Sequence, residues 1–260
     1  MFKYTDQLGV TLSFKERPKR IISIVPSQSE LLSDLGLREE LVGITKFCVH
    51  PSEMFEAVQH VGGTKKLNLE IIRKLKPDLI IGNKEENDRG QIELLRKEFN
   101  VWMSDIYNFE DAFAMMKSIG DIFNKKAAAD LIVKNLILSL TNIKNLFKNN
   151  RIAYFIWNKP YMVAADATFI NHVLSHLGFE NAFSCLTRYP EVSDELLKQI
   201  NPGVCLLSSE PFPFKEKHIC EIQRKLPDAK ILIVDGEVFS WYGTRLLHLE
   251  KYLKSIPLKH

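Results

Sequence analysis

Residues 68–84 read NLEIIRKLKPDLIIGNK and residues 193–209 read SDELLKQINPGVCLLSS, and the two align without a gap at an offset of 125 residues. Glu70 falls opposite Glu195, Pro77 opposite Pro202, and Leu79-Ile80-Ile81 opposite Val204-Cys205-Leu206. One step further on, Glu85 falls opposite Glu210. Each copy has apolar residues at helical spacing, then a proline that ends the helix, then a short apolar run of strand length. A chain of 260 residues with one such unit in each half is read as two similar α/β lobes, each large enough to bury its own core.

The rest of the chain keeps the alternation. Strands are expected at 20–25, 41–44, 78–81 and 101–103, with helices at 27–36, 68–76 and 91–99 between them. In the second half, strands at 151–157, 204–207 and 230–234 alternate with helices at 168–177, 194–200, 214–226 and 244–253. Such an order gives mainly parallel sheets covered by helices. The middle departs from it: 109–123 reads as one helix and 124–148 as another with no Gly or Pro inside. At 1.5 Å per residue the second is a rod of roughly 37 Å. The expected architecture is therefore two Rossmann-like α/β lobes, 1–108 and 149–260, bridged by connecting helices 109–148 with a long backbone helix at 124–148.

Composition excludes several classes. Lys and Arg number 35 against 32 Asp and Glu, and the charge is evenly spread, which is unlike a nucleic-acid binder. No apolar run reaches the ~18 residues of a membrane span. Cys48, Cys185, Cys205 and Cys220 stand far apart with no CxxC, so neither a zinc ribbon nor a disulfide scaffold is indicated. No GxxxxGK[ST] or GxGxxG cradle is present, and Cys48 with His50 two residues on is not read as a catalytic dyad. Catalysis is not expected, and no intrinsic cofactor.

Ligands of open α/β sheets bind beyond the carboxyl ends of the strands. The loops expected there carry Phe47 and His50, then Lys84 and Glu85, in the first half. In the second half they carry Trp157, Tyr161, Glu210, Glu237, Trp241, Tyr242 and Arg245. Aromatics on loops suit a flat, partly apolar ligand that stacks on them, with Lys84, Arg245 and the glutamates reading its polar edges. His50, Glu85, Glu210 and Glu237 also form a candidate set of hard or borderline metal ligands. The competing reading pairs those glutamates with Lys65, Lys84, Lys215 or Arg245, and no metal site is assigned.

Four segments, YTDQLG…RPKRIISIVPSQSELLSDLG, GGT…NLEIIRKLKPDLII, the long central helix and RYPEVSDELLKQINPGVCLL, carry a resemblance over residues 4–256. The chain resembles the class III substrate-binding proteins of ABC importers, the receptors for cobalamin, haem and ferric siderophores, and within them the cobalamin-binding branch. The resemblance implies two lobes on a rigid helix, small lobe motion, a metal chelate held in the inter-lobe cleft, and action as a monomer. It implies that Glu70 and Glu195, one per lobe, dock on arginines of an ABC permease. Phe47 and Tyr189 match aromatic ligand contacts of the cobalamin branch, Glu237 matches an acidic one, and Thr64 and Asn83 stand where that branch has tryptophans. The opening MFKYTDQLGVTLSF shows no apolar export signal. The expectation is a cytoplasmic chain as written, or a periplasmic or cell-surface one if trimmed. The alternative function is a cytoplasmic metal- or metallocofactor-handling protein with a metal site in the same cleft.

Overall fold

A computed structural model describes residues 1–147 and 150–258. The chain divides into two compact units, Met1–Leu136 with Trp241–Arg245, and Ile137–Ser240 with Leu246 onward. The expected boundary assigns all of 149–260 to the second lobe. Residues 241–245 nevertheless belong to the first unit, because Tyr242, Thr244 and Arg245 bond Glu86, Asp34 and Glu30 there.

The first unit is built on a four-stranded parallel sheet in the order Leu41–Ile44, Ile21–Ser23, Leu79–Asn83, Val101–Ser104. In chain order this is 2-1-3-4, so connections diverge between Ile21–Ser23 and Leu79–Asn83, the switch point at which doubly wound sheets open a crevice. The central strands are buried along their whole length, as parallel strands covered on both faces require. Ile22, Ile24, Val61, Ile72, Ile80, Leu95, Val101 and Met103 form one core. The strand expected over 20–25 stops at Ser23, and its helix begins directly at Pro26, whose missing N–H costs nothing at a first helical position. An N-terminal hairpin, Phe2–Thr5 with Thr11–Phe14, was not expected. It is tied to the sheet through Asp6, whose carboxylate accepts from Arg96 and from the Met103 N–H.

The second unit repeats the plan. Its parallel strands Glu180–Asn181, Arg151–Trp157, Val204–Ser208 and Lys230–Val234 lie in the same 2-1-3-4 order. Two short antiparallel strands, Tyr161–Val163 and Glu191–Val192, extend the sheet beside Arg151–Trp157. Both were missed, since strands of two or three residues carry too little periodicity to read. Ala153, Phe155, Phe183, Leu197, Cys205, Leu207 and Ile222 make its core.

The long helix is shorter than expected, Lys126–Ile143, or 18 residues and about 27 Å. Asn124 adopts φ +58 after the helix Phe109–Ile122 and separates the two. A second left-handed residue, Asn145, lies just past the far end, and the expected last residue, Lys148, lies outside the described residues. Ala129, Val133, Leu136, Leu140 and Ile143 form its buried stripe. The division between units falls within this helix, after Leu136.

Candidate functional site

At the carboxyl edge of the first sheet the strands end in polar residues. Ser23, Asn83 and Ser104 close runs that are otherwise apolar, and all three are buried. Ser23 accepts from the Ser29 hydroxyl at 2.8 Å, while Asn83 and Ser104 share one network. Gln28 Nε2 donates to Ser104 Oγ at 2.6 Å, and Asn83 Nδ2 donates to the same oxygen at 2.9 Å. Asn83 Oδ1 accepts the N–H groups of Glu85 and Glu86, which bends the loop back on itself. Asn87 accepts from the Asn83 N–H and donates to the carbonyls of Ile24 and Thr64. A buried, partnered network of this kind fixes loops that sequence alone leaves unconstrained. Asn83 thus organises the loop from beneath.

The loop after Leu41–Ile44 is held equally firmly. Lys46 N–H bonds the Gly62 carbonyl at 2.9 Å and anchors the hairpin Gly62–Gly63 with Lys66–Leu67. Gly62 has φ +105, and a Cβ there would lie 2.5 Å from the Lys66 carbonyl. At Gly63 a Cβ would approach Phe47 Cε2 to 3.2 Å, so the bare backbone is the bed on which that ring lies. Phe47 is 49% exposed. Thr64, at the tip of this hairpin, is half-buried and gives its carbonyl to Asn87. Cys48 is buried beside Ser29 and Thr45, and burial pushes its thiol pKa up, which keeps it neutral and unreactive.

Several expected pairings are redirected. Lys84 bonds Asp105 at 2.7 Å instead of a loop glutamate, and that bond raises its pKa. Lys65 donates to the Glu85 carbonyl, not to its carboxylate. Arg245, expected to read a ligand edge, turns inward to Glu30, with contacts of 3.1 and 2.6 Å and side chains only 14% and 11% exposed. Burial raises the Glu30 pKa even though Arg245 beside it opposes the shift. Trp241, which the Arg245 guanidinium covers at 5.3 Å, packs edge-on against His50 at 5.7 Å. Tyr242 donates to Glu86 Oε1 at 2.6 Å, and both Trp241 and Tyr242 are buried. Residues 241–245 therefore act as a strap on the first unit, a role the sequence did not suggest. The signal available was the pair of carboxylates, Glu30 and Asp34, inside the otherwise uncharged helix Pro26–Asp34.

In the second unit Trp157 ends its strand 39% exposed, edge-on to Phe212 at 5.6 Å. Phe212 in turn contacts Phe214 and His218, whose Nδ1 accepts the Lys215 N–H at 2.8 Å. Tyr189 is half-buried with the Arg188 guanidinium 5.7 Å from its centroid. Glu210 Oε1 accepts from Ser240 at 2.8 Å, and the Glu237 N–H bonds Asp235. Tyr161, expected to meet ligand, is a core residue, buried and edge-on to Phe155 at 5.7 Å. Among the described residues no group of three or more His, Cys, Asp or Glu side chains could hold a metal ion. No described helix is long and apolar enough to cross a membrane.

Glu70 and Glu195 occupy identical places. Asn68 caps Leu69–Leu75 by accepting the Ile71 N–H, and Ser193 caps Asp194–Ile200 by accepting the Leu196 N–H. Each glutamate is the second helical residue, near the positive end of the helix dipole. Hydrogen bonds from its own N–H and from Ser193 lower the Glu195 pKa and keep it ionised.

The family pattern described as periplasmic binding protein matches residues 21–230. An uncharacterized ABC transporter substrate-binding lipoprotein of Bacillus subtilis strain 168 is 27% identical over 209 residues, covering 76% of this chain and 66% of that protein. A vitamin B12-binding protein of Pectobacterium carotovorum is 23% identical over 238 residues, covering 88% and 85%. A solved periplasmic haem-binding protein of Roseiflexus superposes with a TM-score of 0.80 over 90% of this chain and 96% of its own, at 16% identity, which is a likeness of fold.

Proposed function

The chain belongs to the periplasmic binding protein family, and from that premise we propose that it captures a metal chelate for an ABC importer. The family is one of binding components, not catalysts. The ligand classes are a cobalamin-like ring, haem or a ferric siderophore, held by the loops at the carboxyl ends of the strands. The observation that carries this reading is the exposure of Phe47 and Trp157 at those ends, each on a bed fixed by backbone hydrogen bonds and ring contacts. Apolar rings held in water at a strand edge are the surface a flat ligand covers. His50, Lys84, Glu85, Glu210 and Glu237 line the same loops and supply polar contacts around it, while Thr64 supports the hairpin.

On this reading the protein works outside the cytoplasmic membrane and hands its ligand to a permease through Glu70 and Glu195. Two carboxylates on equivalent, well-capped helices suit bidentate arginine partners. Titration of the purified protein with cyanocobalamin, haemin and ferric siderophores, followed by absorbance and tryptophan fluorescence, tests the capture function. Saturable binding of at least one is expected. Absence of binding to all of them at high micromolar concentration would overturn it.

A further inference from the structure

The near balance of charge over the whole chain conceals a local surplus. Residues 1–20 carry five cations, Lys3, Lys15, Arg17, Lys19 and Arg20, against Asp6 and Glu16, and Asp6 is buried and paired with Arg96. Taken from the chain's 35 cations and 32 anions, these leave 30 of each sign in the other 240 residues. The whole excess of positive charge therefore sits on the N-terminal hairpin and the segment that follows it.

The fold keeps that charge together and at the surface. Within the hairpin Leu12 and Phe14 are buried, while Lys3, Thr5, Thr11 and Ser13 at alternate positions are exposed. Lys15, Lys19 and Arg20 are exposed as well. Both arginines are held by uncharged groups, Arg17 by the carbonyls of Asp121 and Ile122 and Arg20 by those of Leu75 and Lys76. Those bonds fix each guanidinium and leave its charge unneutralised. Lys3, Lys15 and Lys19 have no carboxylate partner among the described residues.

Beside these lysines a groove of about 490 Å³ separates the hairpin from the amino ends of the strands, with Phe14, Pro77, Phe99, Lys15 and Lys19 in its lining. Two of its carboxylates are engaged, since Asp78 accepts the Lys19 and Arg20 N–H groups and Glu98 is bound by Arg73. Phe2, 39% exposed, adds a ring at the same end of the hairpin, with the Arg17 guanidinium 5.2 Å from its centroid. We propose that this patch is a docking surface for an anionic phospholipid bilayer. Clustered cations match the lipid phosphates, and an exposed ring and an apolar-walled groove match the interfacial region beneath them. Those apolar groups among the cations favour a bilayer over nucleic acid. The patch lies at the amino ends of the parallel strands, the edge opposite the loop of Phe47, so the inference does not rest on the capture function.

Co-sedimentation with vesicles of phosphatidylcholine containing about one third phosphatidylglycerol tests it, against vesicles of phosphatidylcholine alone. Wild-type protein is expected to bind the anionic vesicles and not the zwitterionic ones, and to be released as salt is raised. Combining Lys3→Gln, Lys15→Gln and Lys19→Gln should weaken that binding about a hundredfold, at roughly fivefold per charge. The same change at Lys117, Lys134 and Lys217, exposed elsewhere, alters the net charge identically and should weaken it less than about threefold. Circular dichroism melts establish that both triple variants are folded, and Lys15→Gln and Lys19→Gln singly decide if the first is not. Equal binding to the two kinds of vesicle, equal loss in the two triple variants, no binding of wild type at low salt, or tighter binding to a short DNA duplex than to the anionic vesicles overturns the inference. Each of these outcomes leaves the capture function standing.

Discussion

Lys76 and Asn201, 125 residues apart, hold the same left-handed backbone conformation, φ 47 and ψ 62 against φ 45 and ψ 64. Each ends a seven-residue helix, precedes a proline by one residue, and leads into a fully buried five-residue strand. The duplicated segment is thus preserved down to single dihedral angles. Its residue types at that position are not equivalent, because asparagine tolerates the left-handed region and lysine does not. Lys76→Gly is therefore expected to stabilise the protein by up to about 1 kcal/mol, and Asn201→Gly by less. Denaturant midpoints of the two variants check the order.

The buried pair Glu30–Arg245 gives a pH-dependent signature. Burial raises the folded-state pKa of Glu30 above its ordinary value of 4.5. A raised carboxyl pKa contributes stability that is fully present below the unfolded value and is lost as pH rises through the folded one. Relative to Glu30→Gln, the wild type should lose stability across that interval as pH rises. Urea unfolding of both proteins at a series of pH values measures the gap, and a gap that moves the other way would refute the assignment. Glu30→Ala, which removes the buried carboxylate facing Arg245, should cost about 3 kcal/mol at neutral pH.

On the proposed function, the Phe47 ring and the Gly63 backbone beneath it act together. Removing the ring in Phe47→Ala should weaken ligand binding about tenfold, in line with one lost aromatic contact. Gly63→Val leaves the ring in place chemically but pushes it from its bed, since even a Cβ would lie 3.2 Å from Phe47 Cε2. A comparable loss of affinity is expected, read by the same titration, with a melting temperature little changed for Phe47→Ala.

Charge reversal at Glu70 and Glu195 separates capture from delivery. Both side chains are exposed at the N-termini of short helices, so the double variant Glu70→Lys with Glu195→Lys should cost only about 1–2 kcal/mol of stability, from the two helix dipoles. Ligand affinity should be retained while permease-dependent uptake is abolished in cells. Retained uptake would remove both residues from the docking role.

Thiol chemistry reports the burial pattern. Cys185 and Cys220 are exposed, whereas Cys48 and Cys205 are buried, and burial pushes the Cys205 thiol up to about 12. An aromatic disulfide reagent should titrate two thiols in the native protein and all four in denaturant.

What the sequence determined by itself was the repeating pattern. Helical spacing, a proline stop and an apolar strand are local properties, and they set the alternation, the buried strands and the equivalence of Glu70 with Glu195 before any contact is known. Only the structure ends the strands at the polar residues Ser23, Asn83, Ser104 and Ser208. Which partners those groups take is a tertiary matter. Gln28 reaches Ser104 across 76 residues and Arg245 reaches Glu30 across 215. No periodicity encodes such a pairing, because it depends on where separate elements come to rest. Arg245 and Tyr161 looked like ligand contacts when read by residue type, and the fold turned one onto a buried carboxylate and the other into a core. Buried polar and aromatic groups take whichever partner lowers their desolvation cost, and only the packed chain decides which partner is within reach.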